Sequence, residues 1–294
     1  MIKSFENRDG WIWMNGEFVP WKNATAHIIS QGLHYASAVF EGERAYNGKI
    51  FKSEEHTKRF FKSAEIIGIE IPFSEDQINL AKNQLITKMN YKDCYVRPLA
   101  WRGGEQMGIS TLNSNINVAI AVWDDWASYF RIEDRKAGLR LVTSPWKKPS
   151  PDTAPYQAKA SGPYIICTMS KEFAEKKGYH DALMLDYRGY IAEGTGANIF
   201  FIKNHDIHTP TPDCFLNGIT RQTVIKMATE QGFKITERHI LPEEIRNYDE
   251  AFLTGTAAEI TPIRSIDENI FTTGDNTTTF KFMNDFSEMV NNSS

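Results

Sequence analysis

Two Asn-Gly dipeptides, Asn15-Gly16 and Asn47-Gly48, each sit between short runs rich in aromatic and β-branched residues. Asn and Gly both tolerate the positive φ that the two central positions of a type I′ turn require. Trp11–Met14 with Glu17–Val19, and Arg44–Tyr46 with Lys49–Phe51, therefore read as antiparallel pairs. Whatever else the chain builds, it begins with hairpins.

Helical signals follow. Ser53 is placed to cap a helix through Phe60, Ala64 and Ile67, and Ser74 with Gln77 forms a capping box ahead of Ile78, Ala81, Leu85 and Met89. Strand-like runs come next, Tyr95–Trp101 and Asn117–Trp123. Residues 124–138 are polar with scattered aromatics and read as a linker between an N-terminal α/β domain (1–123) and a C-terminal α/β domain (139–294). In the second domain Gly162-Pro163 opens a helix closed by Gly178, short strands fall at Ala182–Asp186, Tyr190–Glu193 and Asn198–Ile202, and a further helix runs from Ile219 to Gln231 with Gly232 as its stop. The mixture predicts a mixed α/β (α+β) protein of two domains, as does a length of 294 residues at about 100–200 per domain.

Composition excludes several classes. Net charge is −4 with no long run of Lys or Arg, which disfavours a nucleic-acid binder. Residues 1–9 carry charge without an apolar core, so no secretory leader is expected, and no run approaches the ~20 apolar residues of a membrane span. Cys94, Cys167 and Cys214 are far apart and odd in number, which suits reduced thiols in a cytoplasm. His205 and His208 have metal-like spacing but lie in a hairpin turn without a third ligand, so no metal site is expected.

Chemistry concentrates in four places. Lys159 stands among small residues, Gln157-Ala158-Lys159-Ala160-Ser161-Gly162, which let a flat ring approach the backbone; a lone lysine there would ordinarily be solvated. Glu193-Gly194-Thr195-Gly196-Ala197-Asn198 joins two strands through glycines that suggest close backbone approach. Asn217-Gly218-Ile219-Thr220-Arg221 opens a helix whose N–H groups can hold an anion such as phosphate. Thr254-Gly255-Thr256-Ala257-Ala258-Glu259 follows an apolar strand and can offer backbone donors and a hydroxyl. Together they make up a lysine, an acid and a phosphate cradle, the parts of a pyridoxal-phosphate site.

The order of these motifs, with Gly32-Leu33-His34-Tyr35, Val39-Phe40-Glu41-Gly42, His56-Thr57-Lys58-Arg59, Tyr95-Val96-Arg97-Pro98 and Met107-Gly108-Ile109, resembles the class IV (fold type IV) aminotransferases over nearly the whole chain, and among them the branched-chain aminotransferases. The resemblance implies a two-domain fold with pyridoxal 5′-phosphate between the domains. It implies Lys159 as the covalent and proton-transferring lysine, Glu193 at the pyridine nitrogen and Tyr164 at the ring oxygen. Arg59, Gly218, Ile219, Thr220 and Thr256 would hold the phosphate. For substrate it implies apolar walls from Tyr35, Phe40, Trp126, Tyr129 and Tyr164. Arg97 would receive the side-chain carboxylate of glutamate, and Tyr95 with the Thr256-Ala257 backbone the α-carboxylate. Tyr35 and Ile109 would act across a homodimer interface, with assemblies of dimers possible. The reaction implied is transamination between Leu, Ile or Val and 2-oxoglutarate. A D-amino-acid aminotransferase and an aminodeoxychorismate lyase of the same fold stay open as alternatives.

Overall fold

The computed structural model describes residues 4–124 and 137–292. These form two compact units, residues 4–124 with Ala158–Gly162, and residues 137–157 with Pro163–Asn292. Most of the expected linker, with Trp126 and Tyr129, lies outside the described residues.

The first unit holds a seven-stranded sheet of β1 (Trp11–Met14), β2 (Glu17–Pro20), β3 (Ala38–Phe40), β4 (Glu43–Tyr46), β5 (Lys49–Ile50), β6 (Cys94–Arg102) and β7 (Ile116–Trp123). Its path runs β2-β1-β7-β6-β4-β5, with β3 also on β6. Both hairpins form as the sequence indicates: Asn15 and Gly16 have φ of 51° and 99°, Asn47 and Gly48 of 49° and 84°. On β7, Val118, Ile120 and Val122 are fully buried and alternate with less buried neighbours, the period of a strand with one face in the core. That face packs on Phe60 and Ala64 of α2 (Ser53–Ile66) and on Ile78, Ala81, Leu85 and Ile86 of α3 (Glu75–Met89), which follow the one-turn α1 (Gln31–His34).

The capping box of α3 is present: the Gln77 N–H donates to Ser74 Oγ (3.2 Å), and Gln77 Oε1 accepts from the Ser74 N–H (2.8 Å). Ser53 is not a cap. Lys52, in the left-handed region, holds that position, and the Ser53 hydroxyl instead donates to Asn79 on α3 (3.1 Å). The helix begins at Ser53 itself, so this residue stands inside the first turn rather than at the cap.

Strand β6 carries Pro98, which has no N–H to give a ladder. It falls opposite the break between β3, paired with residues 99–101, and β4, paired with residues 94–96. The break sets Glu41 and Gly42 opposite Arg97 and Pro98, and the Pro98 carbonyl accepts from the Glu41 N–H (2.9 Å).

The second unit holds a nine-stranded sheet of β8 (Leu139–Lys148), β9 (Asp181–Asp186), β10 (Ile191–Glu193), β11 (Asn198–Lys203), β12 (Asp206–Pro210), β13 (Lys234–Arg238), β14 (Glu250–Gly255), β15 (Glu259–Ile266) and β16 (Asn269–Ile270). The order β10-β9-β8-β15-β14-β11 closes on itself, because β10 also pairs with β11 at Glu193 and Asn198. Leu139, Leu141, Leu183, Ile199, Leu253 and Ile263 fill its core. Packed on the strands are α4 (Tyr164–Lys176), α5 (Ile219–Glu230) and α6 (Thr278–Asn292). The Glu250 carboxylate accepts from the Thr278 and Thr279 N–H groups (3.0 and 2.8 Å), which satisfies orphan donors at the start of α6 and suits its positive end. No helix among the described residues is long and apolar enough to cross a membrane.

Candidate active site

Lys159 follows β8 in sequence but groups with the first unit, not with the C-terminal unit to which the sequence reading assigned it. The reason is backbone pairing. The Phe40 N–H donates to the Lys159 carbonyl (3.1 Å), the Ser161 N–H to the Ala38 carbonyl (2.9 Å), and the Lys159 N–H to Ser63 Oγ on α2 (2.9 Å). Ala158 and Ala160 lie in the first unit's core. The lysine is thus fixed at its backbone on both sides, with Nζ 4.9 Å from the centroid of the Phe40 ring.

Two cationic clusters share this unit. Glu41, fully buried, takes Arg59 through two hydrogen bonds (Nε to Oε1 2.6 Å, an Nη to Oε2 2.8 Å) and also meets His56 Nδ1 at 2.8 Å. Burial alone would raise the Glu41 pKa, but the Arg59 charge and the hydrogen bonds from His56 and Arg59 outweigh it and hold the carboxyl far below the usual range. Arg59 is therefore held as a planar fork by a permanently ionised partner. Arg97 lies among three aromatic rings, Phe40, Tyr95 and Trp123, at 4.9, 5.3 and 6.0 Å from their centroids. It donates to the Tyr95 hydroxyl (3.3 Å), and its buried Nε has no partner. Gly42 makes room for that tyrosine: a Cβ there would meet the Tyr95 hydroxyl at 2.0 Å. Tyr35 and Ile109 are instead exposed, at 46% and 85%.

In the second unit Glu193 ends β10 at the closure of the ring. One carboxylate oxygen meets Lys148 Nζ at 2.8 Å, and the other accepts from Asn198 Nδ2 at 3.0 Å. The same Asn198 accepts from the Gly218 N–H through Oδ1 (3.2 Å) and donates to the Leu216 carbonyl (3.0 Å). Gly218 is required by this approach, since a Cβ there would stand 2.3 Å from Asn198 Oδ1. Gly218 is the N-cap of α5, and the first N–H groups of a helix have no intrahelical acceptor, so Ile219 and Thr220 open an anion-binding end. Arg221, fully buried, braces the loop by donating to Asn217, to the Pro210 carbonyl and to Glu237 (2.9, 3.0 and 2.6 Å). One asparagine thus joins a buried carboxylate to a helix N-terminus. A phosphorylated pyridine offers matching groups, a ring nitrogen for the acid and an anion for the helix end. Tyr164 begins α4, and Thr256 and Ala257 form the turn between β14 and β15.

Sequence reasoning had assigned no role to Lys148, Asn198 or His56, and none to Glu41 beyond its place in a motif. The signal for Lys148 was faint: at the end of an apolar strand, alternation turns one of Lys147 and Lys148 inward.

The family model of the class IV amino-transferases matches residues 38–266, and the chain belongs to that family. Within it, the chain is 45% identical over 267 residues to a Rickettsia bellii protein named "Probable branched-chain-amino-acid aminotransferase", covering 91% of both chains. It is 42% identical to the branched-chain-amino-acid aminotransferase of Pseudomonas aeruginosa, over 90% of this chain and 87% of that one. The crystal structure of the Escherichia coli branched-chain amino acid aminotransferase superposes with a TM-score of 0.92 at 34% identity, covering 98% of this chain and 96% of that one. A thermophile's branched-chain amino acid aminotransferase, complexed with N-(5′-phosphopyridoxyl)-L-glutamate, superposes with a TM-score of 0.91 at 35% identity over the same shares of the two chains.

Proposed function

We propose that this chain is a pyridoxal-5′-phosphate-dependent transaminase that exchanges the amino group between branched-chain L-amino acids (Leu, Ile, Val) and 2-oxoglutarate. The observation that carries the reading is the Asn198 bridge, which sets the Glu193 carboxylate and the α5 N-terminus in one hydrogen-bonded unit. The names of the relatives point the same way.

When bound, the cofactor supplies an electron-poor ring that accepts the electron pair released at the substrate Cα. The protein does the rest. Lys159 would hold the cofactor through its amine and, when that amine is free, would move a proton to and from the substrate Cα. Glu193 keeps the ring nitrogen protonated, and Tyr164 donates to the ring oxygen. Arg59, the Ile219 and Thr220 N–H groups and the Thr256 hydroxyl hold the phosphate, with Gly218 giving the close approach.

The substrate pocket must accept an aliphatic chain in one half-reaction and a carboxylate in the other. Arg97 ringed by Phe40, Tyr95 and Trp123 suits both demands, since aromatic faces present apolar area and also stabilise a guanidinium. Tyr95 and the Thr256-Ala257 backbone bind the α-carboxylate in this reading. Trp126 and Tyr129 keep their assignment as pocket walls, with Tyr35 and Ile109 contributed across a homodimer interface. Exposed Ile28, Leu33, Tyr35, Met107, Ile109 and Leu112 in one unit support such an interface. Three buried cysteines without disulfides fit the cytoplasm as the place of action.

The test is amino-donor profiling of the protein reconstituted with pyridoxal 5′-phosphate. L-Leu, L-Ile and L-Val with 2-oxoglutarate should give glutamate, and Lys159→Ala should abolish this while remaining folded. Turnover restricted to D-amino acids, release of pyruvate from aminodeoxychorismate, or substantial turnover by folded Lys159→Ala would overturn the reading.

A further inference from the structure

The second unit buries a lysine that the proposed reaction does not use. Lys148 ends β8 with its side chain only 9% exposed, its Nζ between Glu193 Oε1 (2.8 Å) on β10 and Cys167 Sγ (3.3 Å) on α4. Those two are the titratable groups that face it. Burial works against its ammonium, and the Glu193 charge and the Cys167 sulfur more than offset that, so its pKa lies above the ordinary lysine value.

A buried ion pair is a poor device for stability alone, because desolvating two charges cancels much of their attraction and apolar side chains often pack as well. The first unit has such a pair, Lys82 with Glu43 at 2.8 Å, both side chains at 0% exposure, where Lys82 also donates to Thr57 and Glu43 Oε1 is sealed from solvent without a partner. Glu193 differs: its side chain keeps 11% exposure, and its oxygens are each taken by a single donor, Lys148 or Asn198. A carboxylate has about four lone-pair sites, so an oxygen so engaged can still accept another bond.

We propose that Lys148 is a positioning residue for the reaction: with Asn198 it fixes the Glu193 carboxylate and sets a cation beside it, so that Glu193 can hold a protonated pyridine nitrogen. The inference rests on the reading of Glu193 as partner of that nitrogen. A carboxyl buried without a cation tends to take up a proton, and a neutral carboxyl cannot balance a pyridinium charge.

Two measurements test this on wild type, Lys148→Met, Lys148→Arg, Glu193→Gln and the Lys148→Met/Glu193→Gln double variant. The first is urea unfolding of the cofactor-free protein. Lys148→Met should raise the unfolding constant by about 100-fold or more, by stranding a buried carboxylate, and the double variant should recover most of that loss because its amide needs no cation. The second is the pH titration of visible absorption after loading with pyridoxal 5′-phosphate. Its acid-side midpoint should rise by about one unit, tenfold in proton affinity, in Lys148→Met and return towards wild type in Lys148→Arg. Equal losses in the single and double variants, or an unmoved midpoint in Lys148→Met, would make Lys148 mere packing and overturn the proposal. If Lys148→Met does not fold, the double variant and Lys148→Arg decide: a folded double variant with a wild-type midpoint in Lys148→Arg supports it, and failure of either overturns it. Glu193→Gln leaving the absorption and the rate per bound cofactor unchanged would instead sink the role of Glu193, a result obtained without touching Lys148, and the proposal would fall with it.

Discussion

At the scale of single residues, this chain sets several of its charges where water is scarce. Arg59 is locked to Glu41 and Glu193 to Lys148, whereas Arg97 keeps a buried Nε without a partner among aromatic faces. In the proposed function this guanidinium would receive the side-chain carboxylate of glutamate. A charge-assisted hydrogen bond is worth ~1.5–3 kcal/mol. Arg97→Met should therefore lower the specificity constant for glutamate by roughly 10- to 150-fold and spare leucine, as read from single-turnover kinetics with each donor separately. Equal losses for the two would mean that Arg97 binds the α-carboxylate they share. Lys159, Glu193 and the Gly218–Thr220 helix start drew notice in the sequence because glycines, small residues or a helix start stand beside them, whereas Arg59, inside α2, read as a solvated helix face until the family resemblance gave it a role. Lys148, Asn198 and Glu41 were not legible, because their roles exist only once β8, β10 and β11, or β3 and α2, are brought together, and no local pattern records that.

At the scale of elements, what was legible follows the range of the physics. The two Asn-Gly turns and the Ser74–Gln77 box are satisfied within four residues, and both formed as read. The Ser53 cap failed because the helix starts one residue earlier than read, with Lys52 in the left-handed region at the cap position. The start of α6 could not be read at all, since its cap is Glu250, from another strand. The pairing of the Lys159 segment with β3 is likewise non-local. Helix α5 offers the sharpest test at this scale. Gly218→Ala would drive a Cβ to 2.3 Å from Asn198 Oδ1, so Asn198 must shift and disturb both Glu193 and the α5 N-terminus. Overpacking of this kind costs ~1–3 kcal/mol. Thermal unfolding should show that loss, and pyridoxal 5′-phosphate should stabilise the variant less than it does wild type. An unchanged melting temperature with full stabilisation by the cofactor would show that the bridge does not support the site.

At the scale of the whole molecule, the candidate site residues are divided between two compact units. The first carries the lysine, Arg59 and the Arg97 cluster; the second carries the acid and the anion-binding helix end. The mixed α/β class was visible from the alternation of hairpins and capped helices. The closure of the second sheet was not, because it depends on the single Glu193–Asn198 pairing. The central claim is that one site converts two unlike amino donors by the same chemistry. It is tested most directly by mixing the pyridoxal-phosphate-loaded protein, in excess over substrate turnover, with L-leucine alone and with L-glutamate alone, and following the visible absorption through a single half-reaction. The account predicts that each donor by itself discharges the loaded form, that the D-enantiomers do not, and that adding 2-oxoglutarate restores it. A loaded protein that stays unchanged with L-leucine while reacting with D-amino acids would contradict it.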